Sequence, residues 1–371
     1  MSPLSPELED LRSSLRKFLD TRVPESVVRG LMETTKATDA DIWSQMATQL
    51  GLQGLSIPER FGGDGYGFVE LSVVLEEMGR ALLPSPFFAT VVLGAQALLA
   101  SGDEEACHDY LPAIANGTLC TSLAVAEQSG AWDAALVRTR ATDDGHGNWA
   151  LDGAKAWVPN AESAAMLLVI GRTIAGPTLF AVESDAVGVQ IEPMDVLDRS
   201  RPLAKLTLAG TPARLIGREG AAGRVIARVL DLACVALAAE QVGASQRCLE
   251  LSVDYAQQRF QFGRPIGSFQ AVKHMCAEMF VQIELAKASA AGAARVAEHD
   301  SAESSIAAAA AHITCSTASM FVAKETIQVH GGVGFTWEHP AHLYFRRAKA
   351  SQMLFGGPAL SHERFLERLG I

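Results

Sequence analysis

Arg259-Phe-Gln-Phe-Gly-Arg-Pro-Ile-Gly-Ser-Phe-Gln270 is an aromatic, glycine-punctuated stretch set between long helical runs. Before it, Val225 to Gln257 is rich in alanine and leucine and carries no proline. After it, Ser268 to His299 and Ala302 to Val329 continue in the same style, and a last helix begins after Pro358. Such runs favour helix by summed propensity and by length, and Ala307–Ala311 is a good helix interior.

Upstream the texture changes. Leu119 to Ala126, Ala135 to Ala141, Asn148 to Leu151, Met166 to Ile170, Thr178 to Val182 and Leu203 to Leu208 are short strand-like runs. Gly, Asp, Asn and Pro turns separate them, as in Asp143-Asp-Gly-His-Gly147. Further upstream the chain is helical again. Ser5 can cap a helix that Pro6 opens, and Leu8, Leu11, Leu15 and Phe18 recur at helical spacing. Asp41 to Leu50, Phe68 to Leu82 and Val91 to Leu99 are the other expected N-terminal helices, with a glycine-rich loop over 54–67. The order is helical, then β, then helical, an α+β arrangement with expected domains at 1–117, 118–218 and 219–371.

The 371 residues are enough for a large core. A net charge of −11 argues against a nucleic-acid partner held by phosphate neutralisation and against an anionic membrane surface. The six cysteines form no CxxC pair, so no metal site is expected. The N-terminus lacks a basic segment followed by an apolar one, and the apolar run Val225–Val242 carries Arg228, Asp231 and Glu240. No signal peptide and no membrane insertion are expected, which implies a cytoplasmic protein.

Four stretches carry a family resemblance across nearly the whole chain. They are Leu50 to Gly65 with Glu76-Glu-Met-Gly-Arg80, Asp152-Gly-Ala-Lys-Ala-Trp157, Arg259 to Gln270, and Gln328-Val-His-Gly-Gly-Val-Gly-Phe335 with Arg346-Arg-Ala-Lys349 behind it. In this order, at this length, the chain resembles the acyl-CoA dehydrogenase family. The resemblance implies an N-terminal helical domain, a central β-barrel-like domain and a C-terminal four-helix bundle. It also implies FAD as cofactor, an acyl-CoA substrate, an electron-transfer acceptor protein, and either a homo-oligomer or a second acyl-CoA dehydrogenase-like subunit.

The implied FAD contacts are Arg259, Phe262, Gln270, His330, Gly331 and Gly332 on the ADP side, with Trp157 beside the flavin. The chemistry suits the assignment. Arg259 offers a fixed cation and a planar donor fork for a pyrophosphate, and Phe262 offers a stacking face. Gly263 permits close backbone approach, and the amides of Gly331-Gly332 can meet phosphate oxygens. As a lone arginine or a lone glycine pair, each would more often be a surface side chain or a helix-ending turn.

Two places depart from the family pattern. A Thr-Glu-Pro-Gly-Ala-Gly-Ser-Asp loop is replaced by Ala126-Glu-Gln-Ser-Gly-Ala-Trp-Asp133, and a flavin-facing threonine is replaced by Pro159. The catalytic base, a carboxylate that must reach the substrate α-proton, is also missing. Its usual position is Gly356, and an alternative position on the first long C-terminal helix is Ala233. Glu240, seven residues beyond Ala233 and about 10 Å along the same helical face, is the remaining candidate. It is either a substitute base, a polar substrate contact, or a partner to a buried cation. Loss of both usual positions resembles one subunit type of bacterial heteromeric members, in which a partner supplies the base. The alternatives are a non-catalytic subunit that completes the FAD site, or a related flavin oxidase.

Overall fold

The computed structural model describes residues 5–299 and 301–371. Its contacts divide the chain into two compact units. One contains residues up to 28, 68–83 and 234–371; the other contains 29–67 and 84–233.

In the first unit, α1 (Pro6–Arg22) starts where Ser5 accepts from the Leu8 amide, with Glu7 and Glu9 in its first turn and Arg22 in its last. α2 (Glu25–Met32) follows and runs on into the second unit; the sequence reading did not anticipate it. α4 (Phe68–Arg80) comes after α3 (Ala40–Thr48) of the second unit. α4 packs against α7 (Ala222–Gln258), the 37-residue helix whose first third lies in the second unit. The packing is backbone to backbone: a Cβ at Gly79 would lie 2.0 Å from the Glu240 carbonyl oxygen, and one at Gly243 would lie 1.7 Å from that of Glu76. Only glycine permits that approach at either position.

α8 (Gln270–Val296) and α9 (Ala302–His330) complete the long helices with α7, and α10 (Ala341–Met353) and α11 (Pro358–Leu369) pack on α9. Ser301 and Ser304 form a reciprocal capping box at the start of α9, and Gly331 ends it. Small residues such as Ala286, Ala290, Ala308, Ala311 and Cys315 are buried, so the helices approach closely; the Cys315 thiol donates to the Ala286 carbonyl. Residues 302–335 are apolar and long enough to cross a membrane, yet more than half of the apolar window is buried, as in the core helix of a globular protein.

The second unit holds the β domain and its flanking helices. The strands are β1 (Thr121–Ala124), β2 (Arg140–Asp143), β3 (Trp149–Pro159), β4 (Met166–Thr173), β5 (Gly176–Glu183), β6 (Val189–Pro193) and β7 (Leu203–Ile216). They run in the order β1-β4-β2-β3-β7-β5, with β6 paired to β7 and β4 paired to β5. The last pairing closes β4, β2, β3, β7 and β5 into a ring. Its interior is filled by Leu151, Val158, Leu167, Val169, Phe180, Val182, Leu206 and Leu208. β7 alternates buried and exposed positions from Ala204 to Leu208, as one wall of a filled barrel should. The N-terminal helical, β-barrel-like and C-terminal helical arrangement is therefore present.

Several expected elements differ. The strand expected over 135–141 is a short 3₁₀ turn, Ala134–Leu136, followed by β2. Asp133 caps that turn, and Arg172 donates to the carbonyls of Ala135 and Val137, so side chains occupy groups a ladder would use. The helix expected over 91–99 is a π-helical segment, Phe88–Ala95, followed by α5 (Gln96–Ser101). α6 (Glu104–Ala115) and β6 were not anticipated; Pro112 inside α6 and the sparse apolar positions of β6 hide their periodicity.

Candidate functional site

At the C-terminal end of α7, Phe260–Gln261 and Arg264–Pro265 pair as a two-stranded hairpin. Its turn residues, Phe262 and Gly263, both have positive φ, 53° and 79°. That is the backbone a two-residue hairpin turn demands, and phenylalanine adopts it at a cost. The result is a Phe262 side chain 91% exposed, braced edge-on by Phe269 with ring centroids 6.1 Å apart. Arg264 lies over the Phe269 ring at 4.1 Å. Arg259 is exposed, and its guanidinium has no ion pair or hydrogen bond among the described residues. Gln270 is the exposed first residue of α8.

The end of α9 approaches the same region of α7. His330 is buried, its ring 4.5 Å from that of Tyr255 and 4.1 Å from that of His339, with Nδ1 against the Thr326 carbonyl at 2.7 Å. Burial lowers its pKa. Tyr255 lies one turn before Arg259, and the Arg259 amide donates to the Tyr255 carbonyl. His330 thus ties the two helix ends together with its ring turned inward. Gly331 and Gly332 remain exposed, and a Cβ on either would meet nothing within 4 Å. Gly331, with φ 61° and ψ −140°, holds a conformation open to glycine almost alone. An unpaired guanidinium, an exposed ring and an open glycine turn together suit a pyrophosphate and an aromatic base.

Trp157 belongs to the second unit. It is 39% exposed and has φ 60°, at an irregularity where the β3–β7 register shifts between Lys155 and Val158. Gly130 of the departing loop lies against it; a Cβ at Gly130 would be 3.4 Å from Trp157 Nε1. Glu127 is held by the amides of Arg138 and Thr139, the Thr139 hydroxyl and Lys155 Nζ, each within 3.1 Å. Lys155, quoted in the sequence but given no role there, is fully buried. Its ordinary neighbours in sequence offered no sign of its partner 28 positions away. Burial pushes the Lys155 ammonium down to about 8, with Glu127 opposing the shift. Burial would raise the Glu127 carboxyl, but the Thr139 amide and Lys155 outweigh it and hold it at about 2.

Ala233 is buried on α7. Glu240, also on α7, is buried and accepts a hydrogen bond from Arg347 Nη1 on α10. Gly356, between α10 and α11, has φ 118°, and Phe355 before it has φ 66°. Gly356 thus offers no side chain, and its backbone is unsuited to any other residue. A cavity of about 410 Å³ in the first unit is lined by Arg16, Arg80, Arg247, by Asp20, Glu25 and Glu77, and by Tyr344 and apolar side chains. Its arginines are paired with Glu77 and Glu250, so it presents no unbalanced cation.

The chain matches the acyl-CoA dehydrogenase N-terminal domain over residues 5–118, the middle domain over 122–208 and the C-terminal domain over 222–368. It is 32% identical over 358 residues to the acyl-CoA dehydrogenase IpdE2 of Mycolicibacterium smegmatis, covering 96% of each chain. A variant of the Tcur3481-Tcur3483 steroid ACAD superposes with a TM-score of 0.88 at 31% identity over 99% of each chain. The ChsE4-ChsE5 complex of Mycobacterium tuberculosis gives a TM-score of 0.90 at 27% identity, covering 99% of this chain and 98% of that one. With all three domains matched and full-length relatives above 30% identity, the chain belongs to the acyl-CoA dehydrogenase family.

Proposed function

We propose that the chain is one subunit of an FAD-dependent acyl-CoA dehydrogenase that oxidises the α,β bond of an acyl-CoA thioester to the enoyl-CoA. FAD, when bound, would supply the acceptor for the hydride lost from the β-carbon, with an electron-transfer acceptor protein to reoxidise it. Arg259, Phe262, Gln270, Gly331 and Gly332 would hold the ADP half of an FAD across a subunit interface, and Trp157 would pack beside a flavin. His330 supports that site from behind by fixing the end of α9 against Tyr255. A cytoplasmic location accords with this chemistry.

The observation that carries the reading of this subunit is the fate of its carboxylates. The α-proton needs a base within about 3 Å. Gly356 and Ala233 offer none, and Glu240 is committed to Arg347. The base therefore comes from a second acyl-CoA dehydrogenase-like subunit, and this chain completes the FAD site. The likeness to a steroid ACAD supports a bulky, sterol-derived acyl group.

The test is purification of the chain alone and with a candidate partner chain, recording the flavin band near 450 nm and the subunit ratio. Flavin and turnover that appear only with the partner, at a fixed ratio, are expected. Robust turnover by the isolated chain carrying Glu240→Gln would overturn both the partner-base reading and a catalytic Glu240.

A further inference from the structure

Among the described residues, Lys155 stands out as a fully buried ammonium inside the β domain. Its Nζ is 3.0 Å from Glu127 Oε1 and 3.3 Å from the Val125 carbonyl oxygen. A methionine there would fill similar core volume with no charge to desolvate, so packing alone does not call for lysine. What the charge adds is a tie between β3 and the loop over 126–138.

That loop is fastened at both ends, with Trp132 buried in its middle. At its start the Ala156 amide donates to the Ala126 carbonyl at 2.9 Å, and Glu127 gathers Lys155, the Arg138 and Thr139 amides and the Thr139 hydroxyl. At its far end Arg172 donates to Ala135 and Val137 at 2.6 and 2.7 Å. Between them Gln128 and Ser129 are exposed, and Gly130 lies against the Trp157 indole. Lys155 and Trp157 are two residues apart on the irregular part of β3. One side chain thus grips the loop from behind, and the other is fronted by it. The family's loop hydroxyls are replaced here by Ala126 and Trp132, and Pro159 offers no donor. Among the side chains at the start of the loop, the ion pair is what ties it to β3.

We propose that Lys155 is a positioning residue: through Glu127 it fixes the loop over 126–138 against Trp157, and so fixes how the isoalloxazine ring of FAD is seated. The inference rests on the flavoprotein reading above. It does not require Lys155 to touch the flavin, the substrate or any reacting atom.

The experiment uses the flavin-loaded protein, with its partner subunit if one is needed for loading. FAD is removed and titrated back, and affinity and the visible circular dichroism of the bound flavin are recorded. Lys155→Met is expected to weaken FAD affinity about tenfold and to change the dichroism at saturating FAD, because the ring is seated differently. Glu127→Gln with Lys155→Met, which removes both charges and keeps an acceptor for the Thr139 amide, is expected to leave the dichroism altered, because no ion pair then holds the loop. A folded Lys155→Met protein with native affinity and native dichroism overturns the proposal. Should Lys155→Met fail to fold, the double variant and Glu127→Gln alone carry the same test. Native dichroism in Glu127→Gln or in the double variant overturns it, and altered dichroism in both supports it. Wild-type protein that takes up no FAD under any condition overturns the flavoprotein reading instead.

Discussion

Arg347 on α10 donates to Glu240 on α7 with the two side chains only 4% and 7% exposed. The pair joins two helices of the first unit, and on α7 Val235 to Ala239 and Val242 are buried on either side of it in sequence. Desolvating two charges is repaid only while both are present, so the pair fixes which residues must be retained together more than it adds stability.

Removing one partner should reveal this. Arg347→Met leaves Glu240 buried without its cation and is expected to cost about 3–5 kcal/mol, read as a lower urea midpoint. Glu240→Gln keeps an acceptor for Arg347 and should destabilise less. In the assembled complex Glu240→Gln is expected to retain turnover within about twofold, with flavin bound. A loss of turnover with flavin and fold intact would instead make Glu240 the base.

Arg259→Ala is expected to lower FAD occupancy of the purified protein. The side chain is exposed and has no ion pair to lose among the described residues, so the fold should be unaffected. Loss of one charge-assisted contact to a pyrophosphate corresponds to about 1.5–3 kcal/mol, roughly a ten- to hundredfold rise in the FAD dissociation constant. Unchanged affinity by fluorescence titration would remove Arg259 from the site.

Glu127 gives the protein an acid limb. Its folded-state pKa, about 2, lies below the ordinary 4.5. A depressed carboxyl contributes stability that is fully present above pH 4.5 and is lost as pH falls through about 2. Allowing for solvent at its open edge, the contribution is about 1–2 kcal/mol. Glu127→Gln should therefore flatten the fall in urea midpoint between about pH 5 and pH 2.5. An unchanged slope would mean that other carboxylates carry the acid transition.

The layout of long helices was legible in the sequence because alanine-rich runs without proline have few alternatives to helix; α9 runs Ala302–His330 where Ala302–Val329 was expected. The hairpin turn at Phe262-Gly263 was legible as a glycine-marked stretch, but its positive φ at a phenylalanine was not, since local preference opposes it. β2 was misplaced because Arg172, more than thirty residues away, takes the carbonyls of the segment before it. The same limit applied to the charges. Glu240 was conspicuous among apolar neighbours, yet its partner lies 107 positions later; Lys155 was not conspicuous at all, and its role is set by Glu127. Pairing across the fold has no local signature. For His330 the motif marked the turn, while the place of its ring is set by Tyr255 and His339, which leave no local sign.

The last prediction concerns the empty base position. If the chain were inactive alone merely because Gly356 lacks a carboxylate, Gly356→Glu would restore turnover. The backbone argues otherwise. Gly356 has φ 118° and follows Phe355 at φ 66°, so a side chain there forces a strained conformation or a rebuilt loop. A Cβ would also lie 2.7 Å from Leu360 Cδ2; that tip can rotate away, so the dihedral and not the contact is the lasting obstacle. Gly356→Glu is expected to cost about 1–3 kcal/mol, with Gly356→Ala costing the same, because the strain belongs to the backbone and not to the carboxylate. Neither variant should give the isolated chain turnover, since a glutamate on a rebuilt loop is not held at the geometry a proton transfer needs. Substantial turnover by isolated Gly356→Glu, with stability equal to that of Gly356→Ala, would show that the rest of this subunit's active site is intact, and that the missing base is all that makes it depend on a partner.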